Sequence, residues 1–191
     1  MLKSIFMAKF YFSTLFLFFL ISCTSPTELE KEFNCKSNDL DNLKSYTDFK
    51  NNFKLQLPTT WKTSKFYSDV ESNIYTADTV KELTSTYILN ASYNFGELTI
   101  NAELERKTDS LITANSFQKI KFGKATFKNK PAFWYLIKGK KNGFPYQQFN
   151  LLVKNSSAAY FSAYSEVYGA EKIEERICES ISILENIEFL Q

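Results

Sequence analysis

The fold is decided by residues 131–154, PAFWYLIKGKKNGFPYQQFNLLVK. The segment from Pro131 to Gly139 alternates as a strand and is apolar on both faces, so other parts of the chain must cover both. Asn142 and Gly143 follow and predict a tight hairpin, because both central residues of such a turn need positive φ. A return strand is predicted from Tyr146 to Lys154.

More strands and two helices are predicted on either side of this hairpin. Apolar residues alternate with polar ones from Phe53 to Leu57, and Pro58 ends that strand. The other predicted elements are strands at 73–77, 86–93 and 159–168, a helix at 97–115, and a closing helix with the stripe Ile173, Ile177, Ile181 and Leu184. A sheet with two apolar faces and two amphipathic helices indicates an α+β fold, an α/β/α sandwich with a mainly antiparallel sheet flanked by helices.

Three short patterns resemble the PsbP-like superfamily, which includes photosystem extrinsic subunits and bacterial lipoproteins of the DcrB type. They are Phe-x-Leu-x-Leu-Pro-x-x-Trp at 53–61, Lys-x-x-Pro-Ala at 128–132 and Ile-x-x-Ser-Ile at 177–181. The resemblance spans residues 53–189 and implies an antiparallel sheet between helices. It carries no catalytic residue onto this chain.

The amino terminus predicts a secretory signal. Residues 10–21 are almost wholly apolar and shorter than the roughly 20 residues that a membrane-spanning helix needs. They end at Leu20-Ile21-Ser22-Cys23, which resembles the bacterial lipobox. That resemblance implies removal of residues 1–22 and attachment of palmitate-type acyl chains to Cys23, which would anchor the protein to the inner or outer membrane of the cell envelope, outside the cytoplasm. The alternative is an uncleaved signal anchor with an incidental cysteine.

Removal of the signal changes the charge of the protein. The formal charge of +2 comes from Lys3 and Lys9, so the chain from Cys23 onward is neutral. Residues 24–32 are polar and lack an apolar period, so residues 23–45 are predicted to be a lipidated N-terminus and tether. Residues 46–191 are predicted to form one PsbP-like domain.

Several kinds of catalytic site are excluded by composition. The chain has no histidine, which excludes serine–histidine and cysteine–histidine triads and imidazole metal ligands. It has five glycines and no Gly-rich phosphate loop. Acidic pairs such as Asp69 with Glu71 lack the spacing of a cation loop and are interpreted as solvated surface. We therefore expect no catalytic residue, no metal and no cofactor.

Two further cysteines, Cys35 and Cys178, are predicted to form a disulfide, because a pair of cysteines in an exported protein is commonly bonded. The alternative is a buried thiol at Cys178 and a free thiol at Cys35. Either way, the expected role is structural.

Positive charge is concentrated in one region. Between Asp109 and Glu166 there are nine lysines and no acidic residue, whereas the last part of the chain is acidic. One interpretation is a basic contact face for anionic headgroups or an acidic envelope partner, with these lysines: Lys119, Lys121, Lys138, Lys140 and Lys141. The interpretation that we favour is local neutralisation by the acidic closing helix. Nucleic acid is not an expected partner of an exported lipoprotein.

The strand at 159–168 places Tyr160, Tyr164 and Tyr168 on one face. They form either an aromatic face for a ligand or peptide, or a half-buried layer beneath a helix, and the second is the commoner case.

Three functions follow as hypotheses. The first is a membrane-anchored, non-catalytic binding or assembly module that holds an envelope protein or another ligand. The second is an envelope enzyme that uses carboxylates or a metal, and it requires several acidic side chains that converge in a pocket. The third is a purely structural envelope component.

Overall fold

The predicted hairpin forms the centre of the fold. Asn142 and Gly143 have φ of +53° and +84° and join two long strands. The computed structural model of the chain describes residues 26–36 and 40–190. The helices are α1 (Glu28–Glu32), α2 (Ala102–Ala114) and α3 (Ile173–Glu185), and the strands are β1 (Leu43–Thr47), β2 (Phe53–Pro58), β3 (Lys62–Tyr67), β4 (Glu71–Ala77), β5 (Tyr87–Phe95), β6 (Gln118–Phe127), β7 (Lys130–Lys141), β8 (Phe144–Lys154), β9 (Ala159–Tyr168) and β10 (Glu188–Phe189).

Seven strands form one antiparallel sheet in the order β3-β4-β5-β9-β8-β7-β6. A smaller sheet has the order β1-β2-β10. Strands therefore dominate and helices pack on both sides of the large sheet, which confirms the predicted α+β class.

The main core lies on the first face of the large sheet, the face that β2 and α3 cover. Phe53, Leu55 and Leu57 are fully buried, as their alternation predicted. The predicted stripe of α3 is buried against the same core through Ile177, Ile181 and Leu184, while Ile173 is half-buried at the start of the helix. The alternating apolar residues of β2 and the apolar stripe of α3 thus pack into one continuous core.

The second face of the sheet is covered in part by α2. Ile112 packs there with Ile137, Tyr146 and Tyr168. The helix begins at Ala102, later than predicted, because the side chain of Asn101 accepts hydrogen bonds from the first-turn N–H groups and so caps the helix.

The folded part of the described chain begins before Tyr46, inside the segment predicted to be a tether. Helix α1 buries Leu29, which is 1% exposed, and β1 pairs with β2 along its whole length. A five-residue helix is too short to show an apolar period, so the sequence pattern did not reveal it. The predicted signal peptide and Cys23 lie outside the described residues, among which no helix is both long and apolar enough to span a membrane.

Strands β3 and β6 were not predicted, and they form the two edges of the large sheet. Edge strands often carry lysines, which hinder pairing with further strands and also mask the apolar alternation. Lys62 and Lys65 in β3, and three lysines in β6, fit this account.

Candidate functional site

One row of side chains crosses the second face of the large sheet. The strand register places Tyr75 opposite Asn90, and Asn90 opposite Tyr164. On the other side, Tyr164 lies opposite Asn150, which lies opposite Tyr135. Because directly opposed residues project from the same face, five neighbouring strands contribute an alternating series of phenols and amides. We call Tyr75, Asn90, Tyr164, Asn150 and Tyr135 the tyrosine row.

The tyrosine row is uncharged and partly open to solvent. Asn150 is buried, and the other four side chains are half-buried. Burial raises the pKa of the phenols of Tyr75, Tyr135 and Tyr164 above the ordinary value, and the charge of Glu166 raises the pKa of Tyr75 and Tyr164 further. At neutral pH the row therefore presents protonated hydroxyls and amides, which can both donate and accept hydrogen bonds.

A buried carboxylate lies beside the row. Glu166 is 8% exposed and accepts hydrogen bonds from Tyr146 at 2.8 Å and Tyr168 at 3.3 Å, while the ammonium of Lys141 lies 2.5 Å from its Oε1. Burial disfavours the charged form of Lys141, but its hydrogen bond and charge interaction with Glu166 outweigh that effect and raise its pKa. Burial, followed by contact with Glu166, raises the pKa of Tyr146 well above its usual range. Both carboxylate oxygens of Glu166 thus accept hydrogen bonds from within the chain, and these contacts link β7, β8 and β9.

The three predicted tyrosines do share one face of β9, but they differ in exposure. Tyr164 belongs to the tyrosine row, and Tyr160 is half-buried at the other end of the strand. Tyr168 is 4% exposed and packs against Ile112 of α2 and Tyr146. Tyr160 and Tyr164 are thus partly open to solvent, whereas Tyr168 lies beneath helix α2, as in the second interpretation.

The five predicted lysines do not share one face. Lys119 and Lys141 project from the second face of the sheet, where they pair with Asp109 and Glu166. The other three project from the first face: Lys121, Lys138 and Lys140. Side chains alternate along a strand, and a bulge between Lys119 and Lys121 changes the pattern in β6, so sequence neighbours separate.

Among the described residues, four of the nine lysines form ion pairs, and the source of the carboxylates differs from the prediction. Lys121 lies 3.7 Å from Glu32 of α1, and Lys124 lies 3.0 Å from Glu105 of α2. With the pairing of Lys119, helices α1 and α2 supply these carboxylates. The acidic closing helix α3 supplies none of these ion pairs in the described part of the chain, although the charge of Lys128 acts on Glu185 at its end.

A groove of about 810 Å³ lies on the first face between α1, β6 and the start of α3. Its apolar lining includes Phe33, Ile120 and Leu136, and its charged lining consists of Lys121, Lys138, Lys172, Glu32, Glu174 and Glu175. The charges around it are mixed, so it is not a continuous basic surface.

The predicted disulfide between Cys35 and Cys178 is present, with the two Cα atoms 5.3 Å apart. It joins the residues that follow α1 to the middle of α3, across 143 positions of sequence. Its place beside the core is structural.

Three glutamates, Glu32, Glu174 and Glu175, line the groove on the first face, but they are not a metal-binding group. Among residues 26–36 and 40–190, no group of three or more Asp, Glu or Cys side chains has the geometry to hold a metal ion. Glu71 instead lies on the second face, 3.4 Å from the hydroxyl of Ser92.

Solved structures share this fold. The chain is similar to the solution structure of cyanobacterial PsbP, CyanoP, from Synechocystis sp. PCC 6803, with a TM-score of 0.54, 10% identity, and coverage of 81% of this chain and 96% of that one. It is also similar to a single-substitution variant of Mog1, with a TM-score of 0.50, 8% identity, and coverage of 78% and 97%. At these identities the likeness shows a PsbP-like fold and nothing about activity. No protein-family model and no curated protein matches the sequence.

The tyrosine row was not predicted from the sequence. Tyr75, Asn90, Tyr135 and Asn150 all lie in segments that were predicted to be strands. Only the order and register of the strands bring them together, and no local pattern encodes either. The available signal was the presence of tyrosine or asparagine among apolar residues in each strand.

Proposed function

We propose that this chain is a lipoprotein of the bacterial cell envelope, anchored through Cys23 to the inner or outer membrane, whose PsbP-like domain is a non-catalytic binding module. The tyrosine row, together with Tyr160, is the surface that holds an envelope protein.

The tyrosine row is the observation that carries this proposal. Tyrosine gives a large contact area at low conformational cost, and it is enriched in protein interfaces together with adaptable amides. Tyr75 and Tyr164 are already partly fixed by the sheet, so a partner would lose little free energy in ordering them.

The engaged state of Glu166 supports binding over catalysis. A general base needs a free lone pair directed at substrate, whereas Tyr146, Tyr168 and Lys141 surround this carboxylate. Glu166 and these three side chains instead fix the end of β9 beside the row.

The anchoring part of the proposal rests on the signal-like segment and the lipobox-like residues Leu20 to Cys23. Two or more acyl chains anchor a protein stably, whereas one chain binds a membrane only marginally. Mass spectrometry of the amino-terminal peptide from membranes tests it: the expected result is an acylated Cys23, and an unmodified full-length amino terminus contradicts it.

Photo-crosslinking tests the binding surface. A photoreactive phenylalanine in place of Tyr75, in the full-length chain in whole envelopes, is expected to give a discrete crosslinked protein. The matched control replaces Leu111, which is 66% exposed on the outer side of α2. Crosslinks of equal yield from both positions, or none from position 75, contradict the proposal.

Substitution gives a quantitative check. Tyr164→Ala is expected to weaken capture of the crosslinked partner about tenfold, since truncation of a central interface tyrosine commonly costs more than 1 kcal/mol. Leu111→Ala should leave capture unchanged. Unaltered capture by the Tyr164→Ala variant, with its fold confirmed by circular dichroism, contradicts a role for the row.

A further inference from the structure

The start of the described chain lies at one end of the large sheet. Glu28 accepts a hydrogen bond from the backbone N–H of Thr126 at 2.8 Å, next to the turn between β6 and β7. That turn, at residues 128–129, lies at the same end of the sheet as the turns at 155–158 and 68–70, because successive strands are antiparallel. We call this the anchor end of the sheet.

The anchor end lies close to the proposed lipid. Cys23 precedes Thr27, the N-cap of α1, by only four residues. Fully extended, four residues reach about 14 Å. Acyl chains on Cys23 therefore enter a membrane within that distance of α1, far less than the tether of residues 23–45 would allow.

Exposed apolar side chains collect at the same end. Tyr67 and Val70 are 65% and 64% exposed, and Phe49 and Phe95 are 50% and 41% exposed. They form a local group: the rings of Phe49 and Tyr67 are 5.2 Å apart, and the N–H of Phe95 donates to the carbonyl of Val70 at 2.9 Å. We call these four residues the interfacial patch.

Lysines border the interfacial patch. The ammonium of Lys50 lies 4.7 Å from the ring of Phe95, and that of Lys65 lies 4.8 Å from the ring of Phe49. Aromatic rings with lysines beside them suit the boundary between headgroups and acyl chains, where rings enter the interface and ammonium groups stay with the phosphates. In water, by contrast, the exposure of these apolar side chains contributes no favourable free energy.

Further charged groups lie at the anchor end. Lys128 is exposed at the tip of the β6–β7 turn, whereas Lys130 is half-buried and its ammonium donates to the carbonyl of Asn155 at 3.4 Å. Carboxylates lie near Lys128, since Glu28 accepts from Thr126 and the charge of Lys128 acts on Glu185, and the exposed side chains of Asp69 and Glu97 also lie at this end. Lys50 and Lys65, whose ammonium groups lie over the rings of the interfacial patch, are the cations best placed to meet lipid phosphates.

We propose that the anchor end rests on the surface of the phospholipid membrane that holds Cys23, with the interfacial patch among the headgroups and Lys50 and Lys65 beside their phosphates. This inference rests on the proposed lipidation of Cys23. In this orientation the strands stand roughly perpendicular to the membrane. The tyrosine row then faces parallel to the membrane surface and receives a partner that stands beside the domain.

Site-specific labelling of the full-length lipidated protein tests the orientation. A fluorescent thiol reagent is placed at Val70→Cys, with Asn142→Cys at the opposite end of the sheet as the matched control. Cys35 and Cys178 are bonded and Cys23 is acylated, so each variant has a single reactive thiol. In vesicles of phosphatidylcholine and phosphatidylglycerol, the label at position 70 is expected to be several-fold less accessible to a water-soluble quencher than the label at position 142.

The outcomes separate the two proposals. An unacylated Cys23 in the mass spectrum contradicts the anchor itself. An acylated Cys23 with labels quenched equally at both positions overturns the orientation and leaves the anchor intact. A second variant, Tyr67→Ser in the Val70→Cys background, is expected to increase quenching at position 70 while the protein remains on the vesicles, and no increase counts against the interfacial patch.

Discussion

The ammonium of Lys141 lies 2.5 Å from Oε1 of Glu166 and joins the tip of the β7–β8 hairpin to the end of β9. The hydroxyls of Tyr146 and Tyr168 also donate hydrogen bonds to this carboxylate. An ion pair between the hairpin and β9 thus fixes these strands relative to each other, next to the tyrosine row.

Glu166→Gln is expected to lower the free energy of unfolding by about 1–2 kcal/mol. The variant keeps the shape of the side chain but leaves Lys141 without its charged partner, and the partial exposure of Lys141 limits the loss. The urea midpoint measures it. Glu188→Gln is the matched control, because the Lys54–Glu188 pair is more exposed and should contribute less than about 0.5 kcal/mol. Equal losses in both variants contradict a special role for the buried carboxylate.

Stability is expected to decline at alkaline pH. Burial raises the pKa of Tyr75, Tyr135, Tyr146 and Tyr164 in the folded state, and contact with Glu166 raises the pKa of Lys141. Between the unfolded pKa, about 10, and the folded one, the folded chain binds more protons, so this stability is complete below the unfolded pKa and is lost as pH rises through the folded pKa. Urea unfolding from about pH 9 to about pH 11 measures it, and a flat profile would rule out the shifts.

Loss of the disulfide is expected to cost about 2–5 kcal/mol, because the bond closes a long loop in the unfolded chain. Cys35→Ser combined with Cys178→Ser should unfold at lower urea than the parent chain. A reducing agent should shift the parent to the midpoint of the double variant and leave that variant unchanged. A parent chain that ignores the reducing agent would show that the bond does not stabilise the fold.

Leu29→Ala is expected to destabilise the domain by about 2–5 kcal/mol, since it opens a cavity in the main core. Lys31→Ala, an exposed change in the same helix, should stay within about 0.5 kcal/mol of the parent. Thermal or urea unfolding compares the two. If Leu29→Ala behaves like Lys31→Ala, α1 is not part of the cooperative fold.

The central parts of this fold were predictable because their signals are local. Asn142 and Gly143 determine a turn, and the alternation from Phe53 to Leu57 determines a buried face. Helix α1 was not predictable from local sequence. Its single buried residue, Leu29, is buried only by packing in the folded domain, beside the disulfide.

The candidate site was predictable only in part. Tyr160 and Tyr164 were found from alternation within one strand, whereas the rest of the tyrosine row depends on pairing between strands far apart in sequence. The lysines show the converse. Lys119 and Lys121 are close in sequence, yet the bulge between them directs their side chains to opposite faces.

The bond between Cys35 and Cys178 has a consequence for proteolysis. A protease that cuts the backbone anywhere between these residues leaves two pieces that stay one covalent molecule until the bond is reduced. If Cys23 carries the anchor, the carboxyl-terminal piece also stays on the membrane. Damage to an exposed loop would then leave a nicked protein in place, and release would require a reductant as well as a protease.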